Sequence, residues 1–296
     1  MSAAESAAPT IAVGGATGAV GGRVAKLLAA QGVAQRLIVR DAARAPKLVG
    51  AEAAVVGGYE DAEGMRAALD GVRTFFLVPG HETSDRVTAH KIAIEAAVAA
   101  SVERIVQLSF TAAGPEATFV YGRQHWQTEQ DVKASGLAWT MAHMNFYLDV
   151  LPEFVLPSGD IAGPAGDGRV AAVSRDDVAA SVAALLTGDD HAGKSYELTG
   201  REALTFSEIA LAMARHSGKP ISYLRETVEQ AYASRAHFDA SDFEREGWVT
   251  TYTAVAAGEL EPVSGDVLAL TGKEPQTLKE FLAAHPLALA HVDSLG

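Results

Sequence analysis

Short apolar segments alternate with longer amphipathic segments along the first half of the chain. The apolar segments are bounded by turn-forming or charged residues, which predicts strands over Ile11–Val13, Arg36–Val39, Ala53–Val56, Thr74–Val78, Arg104–Leu108 and Ala138–Met141. Helical periodicity predicts helices over Val20–Ala30, Ala62–Leu69, Ser84–Ala100 and Gln124–Ala134. Strands that alternate with helices form a parallel sheet covered on both faces. The pattern therefore predicts an α/β fold with a Rossmann-type, doubly wound parallel sheet.

The pattern changes after about Tyr147, where Pro and Gly residues interrupt regular structure. The elements predicted beyond this point are strands over Arg169–Val173 and Ser195–Leu198, a helix over Asp176–Leu186, and a helix from a capping box at Thr205 to about His216. We expect a disordered tail over residues 1–8 and a doubly wound domain over residues 9–150. A smaller helix-rich α/β lobe is expected over residues 151–296, with the chain crossing back to the sheet.

The 296-residue chain has 37 acidic and 24 basic residues, a formal net charge of −13, and no cysteine. The acidic balance argues against nucleic acid and anionic membrane surfaces as partners, since both require Lys and Arg. The chain has no thiolate or disulfide chemistry, and its His spacing indicates no metal site. The start of the chain lacks signal-peptide features, and no apolar run approaches the roughly 20 residues of a membrane span. We expect a cytoplasmic protein, with a homodimer as an open alternative.

A glycine-rich turn separates the first predicted strand from the first predicted helix. This is the context that a phosphate-binding turn needs. Gly15 permits the tight turn, Gly18 lets the backbone approach a pyrophosphate, and Gly21 lets the helix pack close to the sheet. The helix N-terminus adds free N–H groups and a positive dipole end. The predicted binding residues of this turn are Gly15, Thr17, Gly18, Ala19, Val20 and Gly21.

The end of the second strand, about 20 residues past such a turn, is where the adenosine ribose of a dinucleotide is recognised. Arg40 occupies this strand tip, followed by Asp41 and, after a turn, by Arg44. An arginine pairs with the 2′-phosphate of NADP, whereas an acidic residue bonds the 2′-hydroxyl of NAD. We therefore predict NADP(H) as the cofactor, held by Arg40 and Arg44. NAD(H) stays as the weaker alternative, which applies if Asp41 points inward.

Sequence motifs spread over nearly the whole chain carry a family resemblance. They are Gly15–Gly21 with Val39–Asp41, Gly57–Asp61, Ser101–Ser109, His125–Glu129 with Ala134–Leu137, and Asp167–Ala179. Together they resemble the NmrA-like family, atypical members of the short-chain dehydrogenase/reductase superfamily. The resemblance implies NADP bound across the strand ends and a small lobe that forms a substrate cleft. Family members include NADPH-dependent quinone reductases, triphenylmethane-dye reductases and redox-sensing regulators that bind the dinucleotide without turnover.

Two positions depart from the pattern of that family. Gly58 stands where the family often has an acidic residue near the adenine. His143 and Met144 stand where many relatives have Arg-Pro after the sixth strand. Because the second position lies near the substrate pocket in the family, the substrate is left open.

Further cofactor contacts are expected from the loops after later strands. The residues are Leu77, Val78 and Pro79 after the fourth strand and Ser109 and Phe110 after the fifth. The Pro and Gly of the first loop suit a sharp turn with exposed backbone along the central part of the cofactor. The resemblance also implies that His125 approaches the nicotinamide ribose, either to orient the cofactor or to supply a proton.

Ordinary short-chain dehydrogenases use Tyr-x-x-x-Lys, in which the Lys lowers the pKa of the proton-donating Tyr. The matching segment here begins at Tyr121 and has His125 in place of the Lys. Gly122 argues against a helix that starts early enough to bring both onto one face. The candidate proton donors are therefore Tyr121 and His125, of which His125 is favoured.

Reduction of quinones or dyes requires the protein mainly to stack the acceptor near the nicotinamide, because the cofactor itself carries out hydride transfer. The candidate substrate contacts are Asn145, Phe146 and Tyr147 after the sixth strand, Trp248 and Tyr252 in the lobe, and Phe110. We expect an NADPH-dependent reductase of a small conjugated acceptor, quinone-like or carbonyl. The alternatives are a non-catalytic NADP(H)-sensing regulator and a nucleotide-sugar epimerase or dehydratase, which the missing Lys disfavours.

Overall fold

The computed structural model describes residues 10–292, so the predicted tail over residues 1–8 lies outside the described residues. The strands are β1 (Ile11–Val13), β2 (Gln35–Val39), β3 (Ala51–Val55), β4 (Thr74–Leu77), β5 (Arg104–Phe110), β6 (Ala138–Met144), β7 (Asp160–Gly163), β8 (Arg169–Val170), β9 (Lys194–Leu198), β10 (Leu204–Thr205) and β11 (Ser222–Arg225). The α-helices are α1 (Gly21–Ala30), α2 (Ala62–Leu69), α3 (Arg86–Ala99), α4 (Val120–Ala134), α5 (Arg175–Thr187), α6 (Phe206–Ser217), α7 (Val228–Arg235), α8 (Asp242–Ala256), α9 (Asp266–Thr271) and α10 (Leu278–Ala284). None of these described helices is long and apolar enough to cross a membrane.

The chain divides into two compact units. The first unit consists of the described residues up to Ser109, together with Gln124–His143 and Val178–Tyr196. The second unit consists of Phe110–Arg123, Met144–Asp177 and the described residues from Glu197 onward. Each unit is therefore assembled from three separate stretches of the chain.

A seven-stranded sheet has the strand order β3-β2-β1-β4-β5-β6-β9. β1 pairs in parallel with β2 on one side and with β4 on the other, and the pairs β2–β3 and β4–β5 are also parallel. The order reverses at β1, which creates the switch point where doubly wound sheets bind ligands. The predicted α/β fold is confirmed. β5 and β6 end later than predicted, at Phe110 and Met144, and the N–H of Thr111 still donates to the carbonyl of Met144 at 2.9 Å.

Helix α3 illustrates how the helices of the first unit cover the sheet. His90, Ala93 and Ala97 recur at helical spacing and are all buried. Ala93 and Ala97 belong to the buried cluster that includes Phe75 of β4 and Ile105 of β5. Small side chains on this face let the helix backbone lie close to the sheet, and they leave room there for a buried imidazole.

The second unit contains two small sheets and a series of capped helices. β7 pairs in parallel with β11, and β8 pairs antiparallel with β10. Helices α6, α7, α8 and α10 begin with capping boxes whose first residues are Thr205, Thr227, Ser241 and Thr277. The strand predicted over Arg169–Val173 ends at Val170, because the N–H of Ala171 donates to the carbonyl of Leu260 in a loop.

Candidate functional site

The turn between β1 and α1 brings backbone atoms closer together than side chains would allow. Gly15 has a φ of +58°, and the N–H of Gly18 donates to its carbonyl at 2.8 Å. A Cβ on Gly21 would lie 2.4 Å from that same carbonyl oxygen. Thr17 and Ala19 are exposed at the rim of the turn. The three predicted glycines therefore form one compact turn with accessible backbone.

The N-terminus of α1 is not capped by a side chain. In this described helix, Val20 precedes the first turn without a side-chain hydrogen bond, and the first turn has no acidic residue. By contrast, the first turn of α6 is closed by Thr205 and Glu208. Uncapped N–H groups at the positive end of a helix dipole are donors that a phosphate accepts. The turn and the helix end therefore fit the pyrophosphate of a dinucleotide.

At the end of β2 the Arg40 side chain is exposed, whereas the Asp41 side chain folds back onto the backbone that follows it. Oδ1 of Asp41 accepts a hydrogen bond of 2.9 Å from the N–H of Ala43 and so caps the short 3₁₀ helix Ala42–Arg44. Because this oxygen is bonded within its own loop, Asp41 is a weaker candidate than Arg40 for contacting the ribose, which disfavours NAD(H). Nη2 of Arg40 lies 3.2 Å from Nε2 of His81, in the loop after β4. An exposed guanidinium at this strand tip fits a 2′-phosphate.

The loop after β4 is held by a tyrosine from a neighbouring loop. Its predicted cofactor residues are Leu77, which is buried, and Val78 and Pro79, which are half-buried. The hydroxyl of Tyr59 donates to the carbonyl of Val78 at 2.8 Å. Burial raises the pKa of this hydroxyl, which therefore stays protonated and keeps donating. Tyr59 belongs to the Gly57–Asp61 motif, but no local pattern in the sequence predicts its contact with Val78.

A buried histidine on α3 holds the same loop from another side. The N–H of Gly80 donates to Nε2 of His90 at 2.9 Å, and Nδ1 of His90 lies 3.0 Å from Oγ1 of Thr128. Oγ1 of Thr128 donates in turn to the carbonyl of Gln124 at 3.0 Å. Burial, and secondly the charge of Arg86, lower the pKa of His90 to about 3. His90 is therefore neutral, with its hydrogen on Nδ1, because Nε2 must accept from Gly80.

His125, the favoured catalytic candidate, is buried in the first unit. Its backbone carbonyl accepts a hydrogen bond of 3.4 Å from Nε2 of Gln107. Burial is the largest cause that holds the pKa of His125 well below its ordinary value, followed by the charges of Arg86, His90 and His143. The imidazole is therefore neutral near pH 7. A neutral imidazole suits the predicted role of His125 in orienting the cofactor better than the predicted role as a proton donor.

Ser109, a predicted cofactor contact, belongs to a buried polar cluster around Glu129. Its Oγ donates to Oε1 of Glu129 at 2.6 Å, Nζ of Lys133 lies 3.2 Å from Oε2, and Nε2 of His143 lies 3.0 Å from Oε1. Burial raises the pKa of the Glu129 carboxyl, but the contacts from His143, Ser109 and Lys133 outweigh burial and hold it below its ordinary value. Glu129 is therefore ionised at the ends of β5 and β6. The family resemblance included Glu129, but no role was predicted for it.

Helix α4 begins at Val120, four residues before its predicted start at Gln124. The expectation that Gly122 excludes a helix here is wrong. A Cβ on Gly122 would meet the Cβ of Ala117 at 3.2 Å, so the glycine permits close packing at the start of the helix. Propensity is overruled by packing, which is common for single glycines.

Tyr121 is a core residue of the second unit. Its ring is buried and lies edge-on to Phe119 at 5.2 Å and tilted to Phe243 at 5.5 Å. The ring also fills the space beside Gly247, where any Cβ would collide with the Tyr121 hydroxyl end. This packing favours a structural role for Tyr121 over the predicted role as a proton donor.

The residues after β6 divide into structural and more accessible groups. Asn145 is buried, its Nδ2 donates to the carbonyl of Leu260 at 3.0 Å, and its Oδ1 accepts from the N–H of Phe146 at 2.6 Å. Both ends of this amide are thus used within the second unit. Phe146 and Tyr147 are half-buried, and the Tyr147 ring lies 5.0 Å from the guanidinium of Arg175. Phe146 and Tyr147 remain the better substrate candidates of this segment.

The other aromatic candidates also differ in accessibility. Phe110 is buried against Phe119, with ring centroids 4.9 Å apart, and Tyr252 is buried among other rings. Trp248 is half-buried, and its ring meets the exposed ring of Phe238 edge-on at 5.8 Å. Trp248 is therefore the more accessible of these candidates, whereas Phe110 and Tyr252 mainly support the core.

The first unit thus offers a pyrophosphate a place at the switch point of a doubly wound sheet, which makes this a dinucleotide-binding protein. Its sequence agrees with that class. Residues 15–189 match the NAD(P)H-binding family, and the chain belongs to this family.

Relatives and solved structures match almost the whole chain. The chain is 30% identical over 283 residues to the NAD(P)H azoreductase of Xenophilus azovorans, covering 94% of this chain and 98% of the relative. The NADPH complex of the NADPH-dependent quinone oxidoreductase of Escherichia coli superimposes with a TM-score of 0.85 at 28% identity, covering 93% and 99% of the two chains. The NADP(H) complex of the triphenylmethane reductase of Citrobacter sp. gives 0.81 at 26% identity, covering 95% and 99%.

These findings establish the protein as an NAD(P)H-dependent oxidoreductase. The resemblance to the NmrA-like family that the sequence motifs indicated is confirmed. The family membership identifies the cofactor class and leaves the electron acceptor to be argued from the residues.

Proposed function

We propose that the protein is an NADPH-dependent reductase that transfers hydride to a small conjugated acceptor, quinone-like or carbonyl. The observation that carries the choice of NADPH is the end of β2, where Arg40 is exposed and Asp41 is engaged with Ala43. The relatives named for azo and quinone substrates support a conjugated acceptor. Cytoplasmic localisation and a homodimeric state stay predictions.

The proposed cofactor contacts come from the ends of β1, β2, β4 and β5 and from helix α4. The turn from Gly15 to Gly21 would take the pyrophosphate through backbone N–H groups and the Thr17 hydroxyl. Arg40 and Arg44 would take the 2′-phosphate. The proposed contacts further along the cofactor are Leu77, Val78, Pro79, Ser109, Phe110 and His125.

Bound NADPH supplies a hydride, and the chain's own residues then need only to hold and orient. The neutral imidazole of His125 exchanges hydrogen bonds without carrying charge. The ionised Glu129 fixes the Ser109 hydroxyl at the end of β5. Phe146, Tyr147 and Trp248 supply ring faces for an aromatic acceptor.

A turnover assay tests the proposal directly. Purified protein is mixed with NADPH and a panel of quinones, azo and triphenylmethane dyes, and aldehydes, and the reduced-nicotinamide absorbance is followed. Oxidation with at least one conjugated acceptor is expected. Tight NADPH binding without oxidation by any acceptor would instead support the regulator alternative.

The choice of cofactor is tested separately with two neighbouring substitutions. Arg40→Ala should weaken NADPH binding by roughly tenfold or more and leave NADH binding nearly unchanged. Asp41→Asn is the matched control, because the amide oxygen still accepts from Ala43, and it should leave the preference for NADPH intact. Equal losses of NADPH and NADH in Arg40→Ala would contradict the 2′-phosphate assignment.

A further inference from the structure

Three basic side chains at the ends of β2 and β4 have no acidic partner. Among the described residues, neither Arg40, Arg44 nor His81 contacts a carboxylate. Other exposed arginines of this acidic chain do, such as Arg73 and Arg225, which pair with Glu103 and Asp167. With 37 acidic residues available in the chain, the contact between Arg40 and His81 without a carboxylate partner indicates a site for an anion.

The contact between Arg40 and His81 fixes the hydrogen positions of the pair. A guanidinium has only donors, so Nη2 of Arg40 donates to Nε2 of His81 across 3.2 Å. The hydrogen of a neutral His81 ring is then on Nδ1, which makes no hydrogen bond within the described residues. The pair therefore presents the remaining N–H groups of Arg40 and one N–H of His81 to solvent.

The position of His81 is set by the loop that carries it. Its neighbour Gly80 donates to the buried His90, and its own carbonyl accepts from the N–H of Thr83 at 2.8 Å. The carbonyl of Thr83 accepts in turn from Nε2 of Gln124 at 2.9 Å. His81 is exposed, but its backbone is fixed on both sides, so it is preorganised beside the tip of β2.

We propose that His81 is a further ligand of the cofactor's 2′-phosphate, beside the arginines of the β2 end, and helps to select NADPH over NADH. The inference rests on the proposed function, in which Arg40 binds the same phosphate. Arg40 offers a planar fork of donors to the phosphate oxygens, and the imidazole N–H adds one donor from the opposite loop. The sheet order brings this about, because β2 and β4 both flank β1.

The test uses fragments of the cofactor, so it does not depend on turnover. Adenosine 2′,5′-bisphosphate and adenosine 5′-monophosphate are titrated calorimetrically into the full chain and its variants. His81→Ala should weaken the bisphosphate about fivefold and leave the monophosphate within about twofold. His81→Lys should restore the bisphosphate affinity, because an ammonium also binds phosphate. His216→Ala, at an exposed histidine of the second unit, is the control and should change neither affinity.

The outcomes separate this inference from the proposed function. If Arg40→Ala loses the preference for the bisphosphate but His81→Ala keeps it, His81 is not a ligand and the assignment of Arg40 stands. Equal weakening of both ligands in His81→Ala would also overturn the inference, since it would indicate a general effect on the loop. If Arg40→Ala keeps full preference for the bisphosphate, the 2′-phosphate site of the proposed function itself is wrong.

Discussion

The backbone N–H of Gly80 donates a hydrogen bond of 2.9 Å to Nε2 of His90, a side chain that is only 3% exposed. This bond ties the loop after β4 to the face of α3 that packs on the sheet. It also requires a neutral imidazole, because a protonated His90 would have no acceptor for Gly80. The shape of a proposed cofactor loop thus depends on the protonation state of a core residue.

Replacing His90 tests this dependence. His90→Leu introduces an apolar side chain of similar reach and removes the acceptor, so the N–H of Gly80 loses its partner. We expect a loss of about 1–2 kcal/mol in the free energy of unfolding and an NADPH affinity weakened about tenfold. Urea unfolding and a fluorescence titration with NADPH measure the two effects.

His90→Gln is the conservative comparison, because its amide oxygen can accept from Gly80. It should recover most of the NADPH affinity even if stability is only partly recovered. A merely structural role for His90 would predict that affinity follows stability in both variants.

The stability of the protein should fall as the pH is lowered from 7 to 5. The pKa of His90 is about 3 in the folded state and near 6.5 in an unfolded chain, so the unfolded state binds the proton first. The contribution of neutral His90 is complete above pH 6.5 and declines as the pH falls towards 3. His125 acts in the same direction. The titration of His90 should cost about 1–2 kcal/mol between pH 7 and pH 5.

Urea unfolding at the two pH values, with and without His90→Gln, measures this effect. The variant should show a flatter pH dependence, since glutamine does not titrate. Carboxyl groups with lowered pKa, such as that of Glu129, lose their contribution only below about pH 4.5 and do not interfere. An unchanged slope in His90→Gln would show that another group titrates in this range.

The alternation of strands and helices was sufficient to predict the doubly wound sheet, because both periodicities are local properties of the sequence. Elements that depend on distant partners were predicted less well. The predicted start of α4 is too late because glycine has a low helix propensity. In the structure the missing side chain of Gly122 lets Ala117 pack against the start of the helix. The strand from Arg169 was extended too far because the partner of Ala171 lies far along the chain, at Leu260.

The glycine turn should tolerate no side chain at Gly21. In Gly21→Ala the new Cβ would lie 2.4 Å from the Gly15 carbonyl and 2.7 Å from that of Gly14, and both are backbone atoms that cannot move aside easily. We expect a loss of about 2–4 kcal/mol in stability together with loss of NADPH binding. Thermal unfolding and NADPH titration provide the measurements.

Gly265→Ala is the matched control for that substitution. A Cβ there meets no atom within 4 Å among the described residues, and Gly265 has a negative φ of −91°. Its stability should change by less than about 1 kcal/mol, with NADPH binding intact. Similar losses in both variants would refute a specific steric limit at the turn.

The carboxylate of Glu129 should be important for stability as well as for the site. Glu129→Gln removes the charge that faces Lys133 and His143 and that accepts from Ser109. Because Glu129 is buried, the expected loss is about 2–3 kcal/mol in urea unfolding. Glu103→Gln, which breaks an exposed pair with Arg73, should leave stability nearly unchanged. A small effect of Glu129→Gln would mean that water replaces its partners.

The candidate site was predictable where residues adjoin a strand end and unpredictable where a side chain comes from elsewhere. Gly15 to Gly21 and Arg40 are found by position along the chain. Tyr59 and His90 contact the loop after β4 from other parts of the sequence. His81 belongs to that loop, and the conformation of the loop places it beside Arg40 at the tip of β2. The position of a histidine at helical spacing from Ala93 and Ala97 was the one local signal that could have pointed to His90.

The three-part construction of the first unit determines the order in which it can be completed during synthesis. Its outer strand β9 is made only after residue 194, next to β6 in the sheet. A nascent chain released at residue 150 would leave β6 as an open edge with unpaired N–H and C=O groups, which invites association with other chains. We therefore expect a continuous N-terminal fragment that ends at residue 150 to associate with other chains, and ribosome-bound chains to acquire NADPH binding only late in translation.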